Sequence, residues 1–259
     1  MKYVTTAMVL LATAVPAFAA DMATKAPAAV ATPAAPVISW QGFYVGGTAG
    51  VAIDNSSVST EAGGWFSNSS VAGNYTEDFG GSSTGLTVGG TVGYNWQWDN
   101  VVAGVEADLS YADRSESGNS SIASTTQSGT SIDKHYALDG NWYGTLRARL
   151  GVTVGPSLIY ATGGAAFGQA DASVSVQGGP YYSWNASESD TRWGWTVGGG
   201  VETQFDPHWS FKIEYLYVDL GSSNFDLTNG AGNPIPDYTL SAHADYAFSV
   251  VRAGINYRF

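Results

Sequence analysis

The chain has 259 residues, no cysteine and a formal net charge of −12, with 33 glycines, 15 tyrosines and 9 tryptophans. Without cysteine there are no disulfides, thiolate nucleophiles or zinc–thiolate sites. The acidity argues against nucleic acid, which is gripped by lysine and arginine, and leaves no basic patch for anionic headgroups.

At the N-terminus, Lys2, an apolar run from Ala7 to Phe18 broken by Pro16, and Ala17-Phe18-Ala19 have the layout of a secretory signal cut after Ala19. That run falls short of the roughly 20 residues a spanning helix needs. No later window is long and uncharged either, so a bilayer would have to be crossed by strands. Residues 1–19 are therefore expected to be a signal peptide. Residues 20–39, with Pro27, Pro33 and Pro36 and little apolar bulk, should be a flexible Ala/Pro leader, and residues 40–259 one barrel domain.

Eight strands follow from two-residue alternation. The first, Trp40 to Ile53, sets Phe43, Val45, Ala49, Val51 and Ile53 against Tyr44, Thr48 and Gly50. After a Ser/Gly/Asn-rich loop, Asp54 to Gly81, comes Ser82 to Trp98, and Asp99-Asn100 is a two-residue hairpin turn. Val101 to Asp113 alternates Val105, Ala107 and Leu109 with Glu106, Asp108 and Ser110. A second loop, Arg114 to Leu138, leads to Asn141 to Val154, where Arg147 and Arg149 face away from Leu146, Ala148 and Leu150. Gly155-Pro156-Ser157 turns into a Gly/Ala-rich strand from Leu158 to about Val176. A third loop, Gln177 to Thr191, precedes Arg192 to Phe205; Asp206-Pro207-His208 turns into Trp209 to Leu220. Across that turn Glu202 and Lys212 should stand opposite each other. Gly221 to His243 is the fourth loop, and Ala244 to Phe259 the last strand, with Val251, Ala253, Ile255, Tyr257 and Phe259 alternating with Arg252, Asn256 and Arg258.

Connections thus alternate between long and two or three residues, as in an all-β, eight-stranded, antiparallel up-and-down transmembrane barrel with long external loops and short periplasmic turns. A soluble sandwich would show the same alternation within strands but has no need of that asymmetry. Trp96, Trp98, Trp209 and Phe211 gather near the short turns, and Trp142, Trp193, Trp195, Tyr215 and Tyr217 near the long connections, as two aromatic girdles would. The four long connections carry ten acidic and two basic residues, which predicts an acidic external rim.

The opposite faces carry Glu106, Asp108, Arg147, Arg149, Glu202, Lys212, Glu214, Arg252 and Arg258, expected to form a salt-bridged network in the lumen with Glu202 against Lys212. Eight strands leave an interior that side chains fill, whereas open channels take about 16 to 18. A structural barrel is therefore expected, with a porin-like diffusion channel as the alternative. No catalytic or metal site is expected: Ser241, His243 and Asp245 lie close in sequence without enforced geometry, and the acidic loop residues lack calcium-loop spacing.

The ending RAGINYRF, the opening WQGFYVGGTAG after an Ala/Pro leader, and the phrases GGTVGYNWQW, WYGTLRARLGV, LIYATGGAAFG and EYLYVDLG resemble the small outer-membrane immunogenic proteins, OmpA-like barrels often labelled as porin family. The resemblance covers about Trp40 to Phe259. It implies a Gram-negative outer-membrane location, an antigenic surface open to host or environmental ligands, and no catalytic residue. Lipid is the expected partner of the barrel wall. Ile255, Tyr257 and Phe259 are the expected signal to the barrel-assembly machinery. Some such relatives bind haem, which makes His135 and His243, with Tyr181 and Tyr182, the candidate ligands at the mouth. No cofactor is otherwise expected.

Overall fold

The computed structural model describes residues 39–64, 67, 75–80, 83–123, 131–179, 182–229 and 238–259, so the expectations for the signal and for residues 20–38 lie outside the described residues, as does Tyr181. Among the described residues, ten antiparallel strands follow one another: β1 (Gly42–Asp54), β2 (Ser57–Gly64), β3 (Glu77–Gly80), β4 (Thr84–Trp98), β5 (Val101–Ala123), β6 (Ser131–Val154), β7 (Ser157–Gly178), β8 (Tyr182–Gln204), β9 (Trp209–Asn229) and β10 (Tyr238–Arg258). Eight of them close a ring, β1-β4-β5-β6-β7-β8-β9-β10, with β10 returning to β1 from Phe248↔Asp54 to Arg258↔Tyr44. The other two lengthen its wall. Beyond the reach of β1, Tyr238 to Asp245 of β10 pair with β2, which pairs in turn with β3.

The short connections are as tight as the sequence implies. Asp99 takes a left-handed φ of 52° and Gly155 one of 58°, the conformations that two-residue hairpins require. In the third turn the Asp206 carboxylate accepts the His208 backbone N–H at 3.0 Å.

Much of what reads as loop in the sequence is strand. β5 runs on through Arg114 to Ala123, β6 begins at Ser131, β8 at Tyr182 and β10 at Tyr238, while β9 continues to Asn229. Several strands therefore exceed 20 residues, or about 70 Å at 3.3 to 3.4 Å per residue. Only part of that length can lie in a hydrocarbon layer about 30 Å thick.

The two ends of these strands differ in which face is apolar. β7 and β8 pair without a slip from Ser157↔Thr203 to Gly178↔Tyr182, so one alternation runs the full length. Near the short turns, in the proximal half, β7 turns Tyr160, Thr162 and Gly164 inward and Ile159 outward. Towards the other, distal end the inward positions become Ala170, Ala172, Val174 and Val176, all buried, and the outward ones Asp171, Ser173, Ser175 and Gln177. The wall is irregular where the halves meet: register shifts fall at Tyr111/Arg114, Asp139/Tyr143 and Asp245/Ala247, and β1 gives way to β2 at Asn55 and Ser56. Bulges re-aim strands and add twist, which suits a change of surroundings on both faces.

On the exterior of the proximal half, the apolar face is bare. Leu146 is 60 % exposed, and Leu86, Val88, Leu109, Leu150, Ile213 and Ile255 are exposed beside it. Trp96, Trp98, Trp209 and Phe211 point outward at the short-turn end. Trp193, Trp195 and Tyr215 point outward at the other, with Trp142 and Tyr217 half-buried there.

Candidate functional site

The lumen of the proximal half is where the sequence concentrates its charge, and all nine expected residues are buried in it. Arg147 on β6 is the hub. Its guanidinium meets Glu106 and, at 2.9 Å, Asp108 on β5, then crosses to Glu214 on β9 at 3.0 Å. Arg252 on β10 closes the circuit, 2.7 Å from Glu214 and 3.2 Å from Asp108. Lys212 reaches Glu106 at 3.1 Å, and Arg149 pairs with Glu202. Neutral groups add hydrogen bonds to the carboxylates: Tyr44 donates to Glu106 at 2.7 Å, Thr145 to Asp108 at 2.6 Å, Tyr160 to Glu214 at 3.1 Å, and Asn256 to Glu202 at 2.9 Å.

Two expectations about pairing need correction. Glu202 and Lys212 do face each other across the β8–β9 ladder, yet their side chains part, Glu202 to Arg149 and Lys212 to Glu106. A ladder neighbour is only one candidate partner when the opposite wall of a narrow barrel is equally near. Arg258, for its part, makes no salt bridge among the described residues. It donates to the Ser39 carbonyl at 2.8 Å and lies 4.7 Å from the centre of the Trp40 ring.

Glycine makes room for these long side chains. Gly50 is the ladder partner of Arg252, and a Cβ there would collide with the Val251 carbonyl and the Arg252 stem. Gly164 stands beside Arg147 in the same way. Gly164 and Gly168, which blur the alternation of the fifth predicted strand, thus stand where the preceding strand comes close, at Leu146, Arg147 and Tyr143. That pairing, with Tyr44, Thr145, Tyr160 and Asn256, was missed because it shows only once the register is known.

Above these ion pairs the interior is mostly apolar, with two further pairs set in it, Arg114 with Asp54 at 3.6 Å and Lys134 with Glu77 at 2.7 Å. Val58, Tyr75, Ile132, Tyr136, Leu138, Val174, Val176, Trp184, Leu227 and Leu240 form one buried cluster, continuous through Tyr143 and Phe248 with the proximal lumen. Tyr75 meets Trp184 edge-on at 5.4 Å. Below the ion pairs, Trp40 is wholly buried against Val102, Leu158 and Tyr160.

The candidate ligand histidines do not converge. His135 lies on the outer face of β6, bonded to Asn119 at 2.7 Å. His243 lies on that of β10, bonded to Asn224 at 2.6 Å and 3.3 Å from Asp245, with β7, β8 and β9 between the two strands in the ring. Tyr182 stacks on Trp184 at 6.1 Å. At the C-terminus Ile255 and Phe259 point outward with half-buried Tyr257 between them, its ring against Trp209 at 5.0 Å and Phe259 at 5.2 Å.

A closed ring of eight antiparallel strands with an apolar exterior and a charged interior belongs to the outer-membrane β-barrel class. The chain is a member of the outer membrane protein beta-barrel domain family, which matches residues 5–259, and it resides in the outer membrane. It is 33 % identical over the whole of both chains to the 31 kDa outer-membrane immunogenic protein of Brucella melitensis biotype 1. It is also 33 % identical to the 22 kDa outer membrane protein of Rhizobium leguminosarum bv. viciae, covering 77 % of this chain and 73 % of that one. Among solved structures, the outer membrane protein OprG from Pseudomonas aeruginosa aligns with 85 % of this chain and 96 % of its own at 14 % identity, TM-score 0.47.

Proposed function

We propose that this protein is a structural, non-catalytic barrel whose lumen is shut to solutes and whose distal end is a surface for interaction and antigenic display. The observation that carries it is the filling of the interior: eight charged side chains pair across the proximal lumen, and an apolar cluster fills the axis above them. A hydrated ion entering this path would have to displace paired charges and then cross a tightly filled, mostly apolar core. In this reading the bilayer covers the proximal half between the two aromatic tiers, with the short turns in the periplasm and the distal half standing outside the cell. The acidic residues on the distal exterior then form a rim towards the surroundings. The outward Ile255, Tyr257 and Phe259 are offered to the barrel-assembly machinery.

Planar-bilayer recording of the refolded protein tests the closed lumen. A baseline without sustained conductance steps is expected, and regular steps would replace this reading with that of a diffusion channel. Haem capture has less in its favour, because His135 and His243 stand on separate outer faces. Addition of haemin is expected to leave the Soret band where free haemin has it.

A further inference from the structure

The charges of the proximal lumen do not balance. Arg147, Arg149, Lys212, Arg252 and Arg258 are five cations, and Glu106, Asp108, Glu202 and Glu214 are four carboxylates, all buried. Four of the cations reach a carboxylate; Arg258, nearest the short turns, is the surplus one. Burying an unpaired guanidinium is costly unless other groups stand in for the anion. Here the stand-ins come from the segment just before β1: the Ser39 carbonyl, which accepts from Arg258 at 2.8 Å, and the face of the Trp40 indole.

The same two residues are held from three further sides. The Trp40 backbone N–H donates to Gln97 Oε1 at 2.6 Å, beside the β4–β5 turn. Gln204 at the end of β8 donates to the Ser39 carbonyl at 3.1 Å. The indole lies on Val102, Leu158 and Tyr160 at 0 % exposure. Behind it, the buried Arg258 Nε, Arg149 Nε and the Asn95 amide have no hydrogen-bond partner among the described residues. Arg258, over the indole face, and Arg149, 3.8 Å from the centre of the Tyr160 ring on which the indole packs, give the place that the indole fills a positive bias.

We infer that Ser39 and Trp40 are a built-in lid over a cationic vestibule at the proximal mouth, which takes a small anionic group, a carboxylate or a phosphate, when the lid is out. Ser39 and Trp40 lie ahead of β1 and take part in no rung of the ring, so they can leave without opening the barrel wall. The placement of this mouth in the periplasm rests on the orientation proposed above; the lid and the vestibule do not.

The absence of natural cysteine allows a direct test in detergent, independent of membrane orientation. Val102→Cys puts a thiol under the indole, to be titrated with an anionic and a cationic methanethiosulfonate of similar size. With Trp40 in place, Cys at this position is expected to resist both. With Trp40→Ala added, labelling is expected to rise at least about tenfold, the anionic reagent leading the cationic by about tenfold through focusing of the field in a narrow cleft. Arg258→Gln should then remove that preference while leaving the thiol accessible. Heat-modifiable gel mobility verifies that each variant is folded. If Trp40→Ala does not fold, Gln97→Ala with Gln204→Ala loosens the lid without removing the indole and should give an intermediate rate. Equal labelling with and without the lid, no gain on loosening it, or a cationic reagent that keeps pace with the anionic one in the opened barrel would overturn the inference. Conductance through the full lumen would not bear on it.

Discussion

The proximal and distal halves use the same strands, the same ladders and the same two-residue alternation, with the faces exchanged. In the proximal half Leu146, Val105 and Ile213 face out while Arg147, Glu106 and Lys212 face in; in the distal half Val174, Leu240 and Trp184 face in while Ser173, Asp226 and Asp133 face out. In the orientation proposed above, what differs is the solvent each exterior meets. Lipid rewards an apolar exterior, and the interior must then be polar if the two faces are to be told apart during pairing. Water restores the ordinary arrangement. The ion-pair lumen is best read in that light. Buried pairs often return little more than their desolvation costs, so the network's contribution lies in filling the axis and fixing the register as much as in net stability.

The largest expected effect comes from breaking the proximal hub. Arg147→Ala leaves Glu106, Asp108 and Glu214 converging on an empty position, and the loss of one partner from a buried ionic cluster costs about 3–5 kcal/mol. Urea unfolding in detergent micelles, followed by the gel shift, should register it as a large fall in midpoint. A variant with an unchanged midpoint would mean that water already reaches these carboxylates.

Next in size, an outward arginine separates the two exteriors. Leu146→Arg is expected to cost about 2–4 kcal/mol if that position lies near the bilayer midplane, and Ser175→Arg on the distal exterior to be near neutral. Folding titrations in lipid vesicles compare them. Equal penalties would remove the proposed boundary between the halves.

A smaller effect, confined to one half, is expected from Leu240→Ala. It cuts into the distal cluster and should cost about 2–3 kcal/mol. Hydrogen exchange should quicken in β2, β10 before the bulge and the distal part of β6, with the amides of the proximal ladders unchanged, because local openings follow local packing.

The proximal half was largely legible in the sequence and the distal half was not, for a physical reason. Phe43, Val45, Trp96, Leu146 and Trp193 are bulky and outward, as the proposed lipid-facing belt requires, and the proximal strands alternate such residues with polar and charged ones, so the period stands out. Distal strands need only Ala172, Val174, Ala242 and Ala244 on the inside, with Ser, Thr, Asn and Gly outside, a composition that reads as loop. The ion-pair residues could be named from their inward phase. Their partners could not, because Glu202 and Lys212 are ladder neighbours that bond elsewhere, and nothing in a one-dimensional pattern ranks the opposite wall above the adjacent strand. Trp40 was misread as the first residue of a strand, since a lone buried indole ahead of an alternating run looks like part of it.

The smallest effect expected is alkaline loosening of the distal core, through Tyr75. Burial raises its phenol above the ordinary tyrosine value of 10.0, with Tyr182 adding to the rise, and the ring is held edge-on to Trp184. A raised value means that the folded protein binds this proton more tightly than the unfolded chain. Tyr75's contribution is therefore whole below pH 10 and is lost as pH rises through the higher folded value. Subtracting the tyrosinate absorbance of Tyr75→Phe from that of the unaltered protein isolates this one titration, which should fall above pH 10. The near-UV circular dichroism of the Tyr75–Trp184 contact should fade over the same interval. A difference curve centred at or below pH 10 would mean that water reaches the phenol, and the distal half would then lack the closely packed apolar cluster that sets it apart from the proximal one.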